Sequence, residues 1–305
     1  MKRQTFGKIA QTACLTVMLA AVPLTLWAAS SPGGEKIPNF TPSAVSSWQV
    51  NFWDFILPPP PGAGHGPIMT DPAYPYTSQI QNGGQVRVRP GTYQVVIANA
   101  KDPILKPWAA KEMQERNDTL LADKRAFENA SRLEFRAQSR CWPGGTTGQL
   151  LFLEPLYFLQ TPTKVTLFWQ RNGLVRHVYL TDKHSENVKP SWSGESIGHY
   201  ENGDTLVIDT IGIKGGKYHY LDSFGTPHTD KLHVVERYTI APDAKTLTAL
   251  VTVEDPDTFN APLTLTQTWR RTNLSYQESV CAEDEGEDHF GQNLEPIPTS
   301  DKREF

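Results

Sequence analysis

Hydrophobic and polar residues alternate along most of the second half of the chain, with the period of two that is typical of β-strands with one buried face. From Leu150 onward about eight such segments follow one another, and turn sequences such as Asn172-Gly173 separate most of them. This succession predicts a mainly β fold over residues 141–281: an antiparallel, lipocalin-like up-and-down barrel or a strongly curled sheet. A two-sheet sandwich is the alternative.

Residues 31–140 have a different pattern. Pro and Gly are frequent up to about residue 100, including the run Pro58–Pro61, which predicts an irregular arm with at most short strands near 86–88 and 93–97. Residues 102–130 are rich in Ala, Lys, Glu, Met and Leu, so a helical segment is predicted there. Residues 282–305 are acidic and contain Pro, which indicates a tail.

Residues 1–30 predict a signal peptide. Lys2, Arg3 and Lys8 form a basic start, Thr12–Trp27 is apolar and uncharged, and small residues follow at 28–30. Cleavage there would place the protein in the periplasm or outside the cell and leave no segment apolar enough to span a membrane. A retained membrane anchor is the alternative, although the apolar run is short for a span.

Charge and cysteine content narrow the class of protein further. The formal net charge is −4 and no basic run occurs, so binding to nucleic acid is not expected. Beyond the leader the chain has two cysteines, Cys141 and Cys281, and an isolated pair in an oxidising compartment predicts a disulfide bond.

Two carboxylates lie within strand-like segments. Asp209 shares a face with Val207 and Ile211, and Glu236 alternates with apolar residues of the segment 232–240. A carboxylate among apolar neighbours must be paired, hydrogen-bonded or protonated, because burying an isolated charge is costly.

The pairing of these two strands would place reactive side chains inside the barrel. If both Asp209 and Glu236 face the lumen, His199 or His228 can lie beside them, and a carboxylate next to an imidazole is typical of general acid–base catalysis. The alternative is a structural ion pair, in which Glu236 bonds one of three arginines: Arg176, Arg237 or Arg270.

The connection between the two strands contains a possible metal-binding set. His228, Asp230 and His233 supply the two imidazoles and one carboxylate that zinc or non-haem iron sites use. The alternative is that Asp230 caps the turn into the strand while both histidines bond the backbone. The cofactor therefore stays open, with zinc or iron as the candidates.

A Gly-containing loop before the central strand predicts a ligand-binding region. Its candidate binding residues, together with one tyrosine from the later connection, are His184, Trp192, Glu195, Tyr200 and Tyr220. A packed loop that closes one end of the barrel is the alternative. Gly194–Gly198 matches the letters of a nucleophile elbow, but the strand–turn–helix context is missing, so Ser196 is interpreted as a turn residue.

Six motifs of the chain, in this order, resemble those of a family of exported bacterial proteins. They lie at Cys141–Gly145, Glu154–Pro162, His184–Gly198, Glu201–Gly212, Thr226–Tyr238 and Val253–Pro256. The family has no settled activity, so the resemblance implies a shared fold and site rather than a reaction.

These patterns favour an exported enzyme, a lyase or hydrolase, that acts on a small, partly hydrophobic molecule. Asp209 or Glu236 would be the base, and His228 the acid or a metal ligand. The alternative is a non-catalytic, lipocalin-like carrier of a small molecule. The sequence leaves the substrate and the oligomeric state open.

Overall fold

The structure is a computed structural model. It describes residues 36–50, 67–70, 78–81, 84–87, 96–122, 143–151, 154–216, 219–222 and 225–278. Cys141 and Cys281 lie outside the described residues, and so does the predicted signal peptide.

The described residues form mainly β-strands. In chain order these are β1 (Ser47–Val50), β2 (Ile68–Thr70), β3 (Ser78–Gln81), β4 (Gly84–Arg87), β5 (Val96–Ala98), β6 (Leu156–Gln160), β7 (Lys164–Trp169), β8 (Val175–Tyr179), β9 (Glu195–Glu201), β10 (Thr205–Ile211), β11 (His233–Ile240), β12 (Thr246–Glu254) and β13 (Leu263–Thr272). The helices are α1 (Pro107–Ala122) and α2 (Gly145–Gly148), and 3₁₀ turns lie at Gln149–Leu151 and Arg171–Gly173. No helix in this part of the chain is long and apolar enough to cross a membrane.

Nine of the strands close into one barrel, in the order β1-β13-β12-β11-β10-β9-β8-β7-β6. The prediction of a mainly β fold built as an antiparallel barrel is confirmed, with one parallel pair of strands as the exception. The barrel includes β1, which comes from the region predicted as an irregular arm and pairs with β13 and, at Trp48 and Leu156, with β6. The remaining strands form two small sheets, β2 with β5 and β3 with β4.

One pair of neighbouring strands departs from the antiparallel pattern. β8 and β9 run parallel, with Val178 opposite Ser196 and Tyr179 opposite Ile197. A parallel neighbour requires a crossover connection, and residues 180–194 provide it. This crossover supplies a side chain to the site described below.

The lumen of the barrel is filled by side chains. Trp48, Trp169 and Trp269 belong to the core and are at most 1% exposed. One end is covered from outside the barrel by Phe40, whose ring stacks on Phe158 with centroids 4.6 Å apart. At the other end, Leu150 from the 3₁₀ turn and Leu221 from the β10–β11 connection are buried in the same core.

The register between β10 and β11 decides which carboxylate faces the lumen. Ile208 lies opposite Glu236, and Asp209 lies opposite Val235. Ile208 and Glu236 are both fully buried, whereas the Asp209 side chain is 39% exposed. The expectation that Asp209 and Glu236 share the lumen is therefore wrong, because adjacent positions of a strand face opposite sides.

Candidate active site

Two imidazoles and a carboxylate converge on the outer face of the barrel. Oδ1 of Asp209 lies 2.9 Å from Nε2 of His184 and 3.1 Å from Nε2 of His233. Asp209 lies on β10 and His233 on the neighbouring β11, whereas His184 comes from the crossover. We call these three residues, with the two glutamates described next, the outer-face cluster.

Each imidazole of the cluster has a second carboxylate behind it. Nδ1 of His184 lies 3.1 Å from Oε1 of Glu195, and Nδ1 of His233 lies 3.4 Å from Oε2 of Glu254. The second pair follows from strand register, because His233 and Glu254 are directly opposite on β11 and β12. A carboxylate on the far ring nitrogen holds an imidazole in one orientation.

Glu195 is the most firmly held member of the cluster. Its carboxylate accepts hydrogen bonds from the hydroxyl of Ser185 at 2.5 Å and from the backbone N–H of Ser185 at 2.8 Å. These two bonds, followed by the contact with His184, lower the pKa of Glu195 below its ordinary value. The same bonds fasten the crossover to β9.

The contacts of the cluster require both nitrogens of each ring to donate a hydrogen bond. A neutral imidazole carries one N–H and can donate to only one of its two flanking carboxylates, whereas an imidazolium donates to both. All four contacts of His184 and His233 are therefore satisfied only when both rings are protonated.

The cluster is accessible and has aliphatic neighbours. The side chains of His184, His233 and Asp209 are 17%, 34% and 39% exposed. Ile197 on β9 and Val235 on β11 lie directly opposite Asp209, and both are half-buried. Within the part of the chain that the structure describes, Oδ2 of Asp209 has no hydrogen-bond partner, so it can accept a bond from a bound molecule.

Glu236 belongs to a separate network inside the barrel. Its Oε2 accepts a hydrogen bond from Nη2 of Arg176 at 2.5 Å, and its Oε1 accepts one from the hydroxyl of Tyr238 at 3.0 Å. Burial, followed by the nearby Glu236, raises the pKa of Tyr238 well above its usual range. The ion-pair alternative for Glu236 is confirmed, with Arg176 as the partner.

The buried network extends to two hydroxyl side chains. Nε of Arg176 donates to Oγ of Ser196 at 3.0 Å, and Nη2 donates to Oγ1 of Thr210 at 2.6 Å. Ser196 is therefore a strand residue of β9 that faces the lumen, and its interpretation as a turn residue is wrong. The alternation of β8 could have placed Arg176 inside, but no sequence pattern selected it over the other arginines.

His228 is buried away from the cluster, in the β10–β11 connection. Its Nδ1 donates to the backbone carbonyl of Thr229 at 2.9 Å, and burial lowers its pKa. The ring of His219 lies edge-on to it, with centroids 6.2 Å apart, and stacks on Trp192 at 4.0 Å. His228 thus bonds the backbone, as the structural alternative expected.

The structure does not bring the predicted metal-binding residues together. His228 is buried, Asp230 is exposed in a turn, and His233 points to Asp209 on the outer face. Over the described ranges, no group of three or more His, Cys, Asp and Glu side chains is arranged to hold a metal ion.

The other candidate residues lie at separate places. His199 is exposed and pairs with Glu201 at 2.9 Å, towards the opposite end of the outer face from Glu195. Tyr200 faces inward, where its hydroxyl accepts a hydrogen bond from Gln160 at 3.0 Å, and burial raises its pKa. Tyr220 is buried and bridges to Pro227 in the β10–β11 connection. Of the predicted catalytic and binding residues, the outer-face cluster unites Asp209, His184 and Glu195.

Comparisons with models of protein families, with curated proteins and with solved structures gave no match. The resemblance to a family of exported bacterial proteins stays a prediction.

Proposed function

We propose that the protein is an exported hydrolase or lyase that uses the outer-face cluster for acid–base chemistry on a small, partly hydrophobic molecule. The observation that carries this proposal is the convergence of both Nε2 atoms, from His184 and His233, on one oxygen of Asp209. Each imidazole also has its own orienting carboxylate. Imidazoles held in this way are typical general acids and bases.

Asp209 and the two rings divide the work. All four ring nitrogens face carboxylates, so Oδ2 of Asp209 is the atom that takes a proton from the attacking water or from a substrate C–H. Once neutralised, Asp209 holds Nε2 of the rings less tightly, and one ring, as imidazolium, gives its proton to the leaving group. Asp209 then passes its proton to that ring through their hydrogen bond, which restores the starting state. The half-buried Ile197 and Val235 beside Asp209 suit the apolar part of the substrate.

A carrier of the lipocalin type is not favoured. Such a protein holds its ligand in a cavity inside the barrel. Here the three tryptophans of the core are almost fully buried, and the Arg176–Glu236 pair is buried inside the barrel as well.

Incubation of the full-length protein with a cell-envelope extract, followed by mass spectrometry of small molecules, tests the proposal without a known substrate. We expect at least one compound to be consumed by the native protein and not by Asp209→Asn. The purified compound should then be turned over about 10²–10⁴ times more slowly by His184→Gln and His233→Gln.

His177→Gln is the matched control, because His177 is an exposed histidine of β8 that bonds Thr166 and lies outside the cluster. It should keep the native rate. An extract that stays unchanged with the native protein contradicts the proposal, and so does equal turnover by native protein and all three cluster variants.

A further inference from the structure

A polar concavity lies away from the outer-face cluster, beside β1 and the beginning of β6. Its volume is about 320 Å³, which is at the small end of the range for ligand pockets. Three residues with side-chain amides line it, and these are Gln49, Gln170 and Gln277. Ser275, Leu274 and Glu154 also line it. We call this concavity the glutamine groove.

Glu154 has one oxygen that the described residues leave unused. Its Oε1 accepts bonds from Nε of Arg171 at 2.8 Å and from Nη2 of Arg171 at 2.5 Å. Its Oε2 is buried and has no hydrogen-bond partner in the described part of the chain. A buried acceptor without a partner costs free energy, so a side-chain shift that exposes Oε2 to the groove would let a ligand donate a hydrogen bond there and gain affinity.

The charge of the groove disfavours ions as ligands. The carboxylate of Glu154 is offset by the guanidinium of Arg171, with which it forms an ion pair. The three amides and the Ser275 hydroxyl carry no net charge. An anion would meet the acidic side chain of Glu154. A cation would find that charge already neutralised by Arg171 and would also meet the guanidinium of Arg270, which bonds Oε1 of Gln49 at 3.3 Å.

Amides and hydroxyls match one kind of ligand group. A primary amide both donates and accepts hydrogen bonds, and so does the hydroxyl group of an alcohol or sugar. Several amides around one concavity can therefore bind several hydroxyls of the same molecule. Oε2 of Glu154, once such a shift exposes it, can accept a hydrogen bond from a further hydroxyl.

An aromatic cluster adjoins the groove. Tyr157 stacks on Phe168 with centroids 5.0 Å apart, and Tyr276 meets Tyr157 edge-on at 5.7 Å. Tyr276 is 46% exposed and lies between the groove residues Ser275 and Gln277 in the chain. The Tyr157 hydroxyl donates a hydrogen bond to the backbone carbonyl of Leu274, which also lines the groove. Sugar rings have apolar C–H faces that can pack on an exposed tyrosine ring, while the tyrosine hydroxyl remains in contact with water.

We propose that the glutamine groove binds a neutral polyhydroxylated molecule of about one or two sugar rings. This site is distinct from the outer-face cluster, which lies on β9 to β12 and on the crossover before β9. A free sugar and the exposed end of an envelope glycan share this chemistry.

Calorimetric titration of the full-length protein tests the proposal with defined probes: maltose, cellobiose and diacetylchitobiose. Co-sedimentation with purified cell-wall glycan tests the attached form. We expect saturable binding in at least one of these arms, and the arm that binds identifies the source. Gln170→Leu and Gln277→Leu, which remove an amide while keeping the side-chain size, should each weaken it about tenfold, the effect of one hydrogen bond.

Gln114→Leu is the matched control, because Gln114 is an exposed glutamine of α1 outside the groove. Its binding should equal that of the native protein, and melting curves establish that each variant is folded. If Gln277→Leu does not fold, Gln49→Leu takes its place. The proposal is overturned if no neutral sugar or glycan binds, if both amide variants bind as well as the native protein, or if lysine or citrate binds more tightly than the sugars.

Discussion

Arg176 and Glu236 form an ion pair that is almost completely removed from water. Their side chains are 1% and 0% exposed, and Ser196, Thr210 and Tyr238 add hydrogen bonds to the pair. Nη1 of Arg176 is buried without a hydrogen-bond partner among the described residues. A buried pair contributes little net stability compared with apolar residues of the same shape. Loss of one partner, by contrast, leaves an uncompensated buried charge.

The substitution Glu236→Gln should therefore be strongly destabilising. We expect the free energy of unfolding to fall by about 3–5 kcal/mol, measured by urea denaturation with tryptophan fluorescence. Glu201→Gln is the control, because Glu201 pairs with Arg237 at 30% and 42% exposure, and an exposed pair contributes about 0–1 kcal/mol. Similar losses in the two variants would show that the buried pair has no special role.

His228 predicts how stability depends on pH. Burial lowers its pKa in the folded state below the ordinary value of 6.5, so the unfolded chain binds the proton first as pH falls. More protons bound in the unfolded state means that stability declines with falling pH. The contribution of His228 to the free energy of unfolding is fully present at a pH above 6.5, the pKa of the unfolded state. It is lost as the pH falls from 6.5 through the lower pKa of the folded state.

Urea denaturation at a series of pH values between about 7.5 and 5 measures this loss. In His228→Gln the decline should be shallower, because that position no longer titrates. His177→Gln, which changes an exposed histidine, should keep the native slope. A native slope in His228→Gln would assign the decline to other groups.

At the scale of elements, the approach of β9 to its neighbours depends on Gly198. A Cβ atom added at this position would lie 2.6 Å from the backbone oxygen of Val207 and 2.8 Å from Cγ1 of Val178. Val207 is on β10 and Val178 is on β8, so Gly198 allows β9 to pack between both strands. The parallel pairing of β8 and β9 begins two residues earlier, at Ser196.

Gly198→Ala should therefore weaken the barrel on the side of the cluster. We expect a loss of about 1–3 kcal/mol, the usual cost of overpacking a filled core, in urea denaturation. Amide hydrogen exchange should rise in β8 and β9 before it rises in β12, because the added methyl group separates those two strands. Unchanged exchange throughout would mean that neighbouring side chains absorb the methyl group.

At the scale of the whole molecule, β1 closes the barrel. It pairs with β13 along Ser47–Val50 and with β6 at Trp48. Trp48 is fully buried, its Nε1 donates to the carbonyl of Phe40 at 3.0 Å, and the guanidinium of Arg271 lies 4.1 Å from its ring centroid. The Trp48 side chain thus connects the segment around Phe40, which covers one end of the barrel, with the first strand and the last strand.

Trp48→Ala should cost about 3–5 kcal/mol and also expose strand edges at the seam. We expect a lower melting temperature, binding of a hydrophobic dye and self-association in size-exclusion chromatography. Trp108→Ala is the matched control, because Trp108 is 40% exposed on α1, and it should remain monodisperse to the same degree as the native protein. Equal behaviour of the two variants would contradict the role of Trp48 in closure.

Much of the barrel could be predicted from the sequence, because alternation within a strand is a local property. The pattern around Asp209 correctly separated its face from that of Leu206, Ile208 and Thr210, and the pattern around Glu236 correctly grouped it with Val234, Tyr238 and Ile240. Periods of two report which residues share a face. They do not report which face is buried when both contain apolar residues.

The sequence by itself therefore determined most of the barrel strands, their antiparallel hairpins and the residues that share each face, whereas β1 and β9 lie in segments predicted as an irregular arm and a loop. The tertiary structure alone decided that Asp209 faces outward, that Arg176 is the partner of Glu236, and that the crossover brings His184 to Asp209. Glu254 joins the cluster only because it lies opposite His233 across two strands. The physical reason is that register, and the path of a crossover, depend on contacts between residues far apart in the chain, which no local pattern of hydrophobicity encodes.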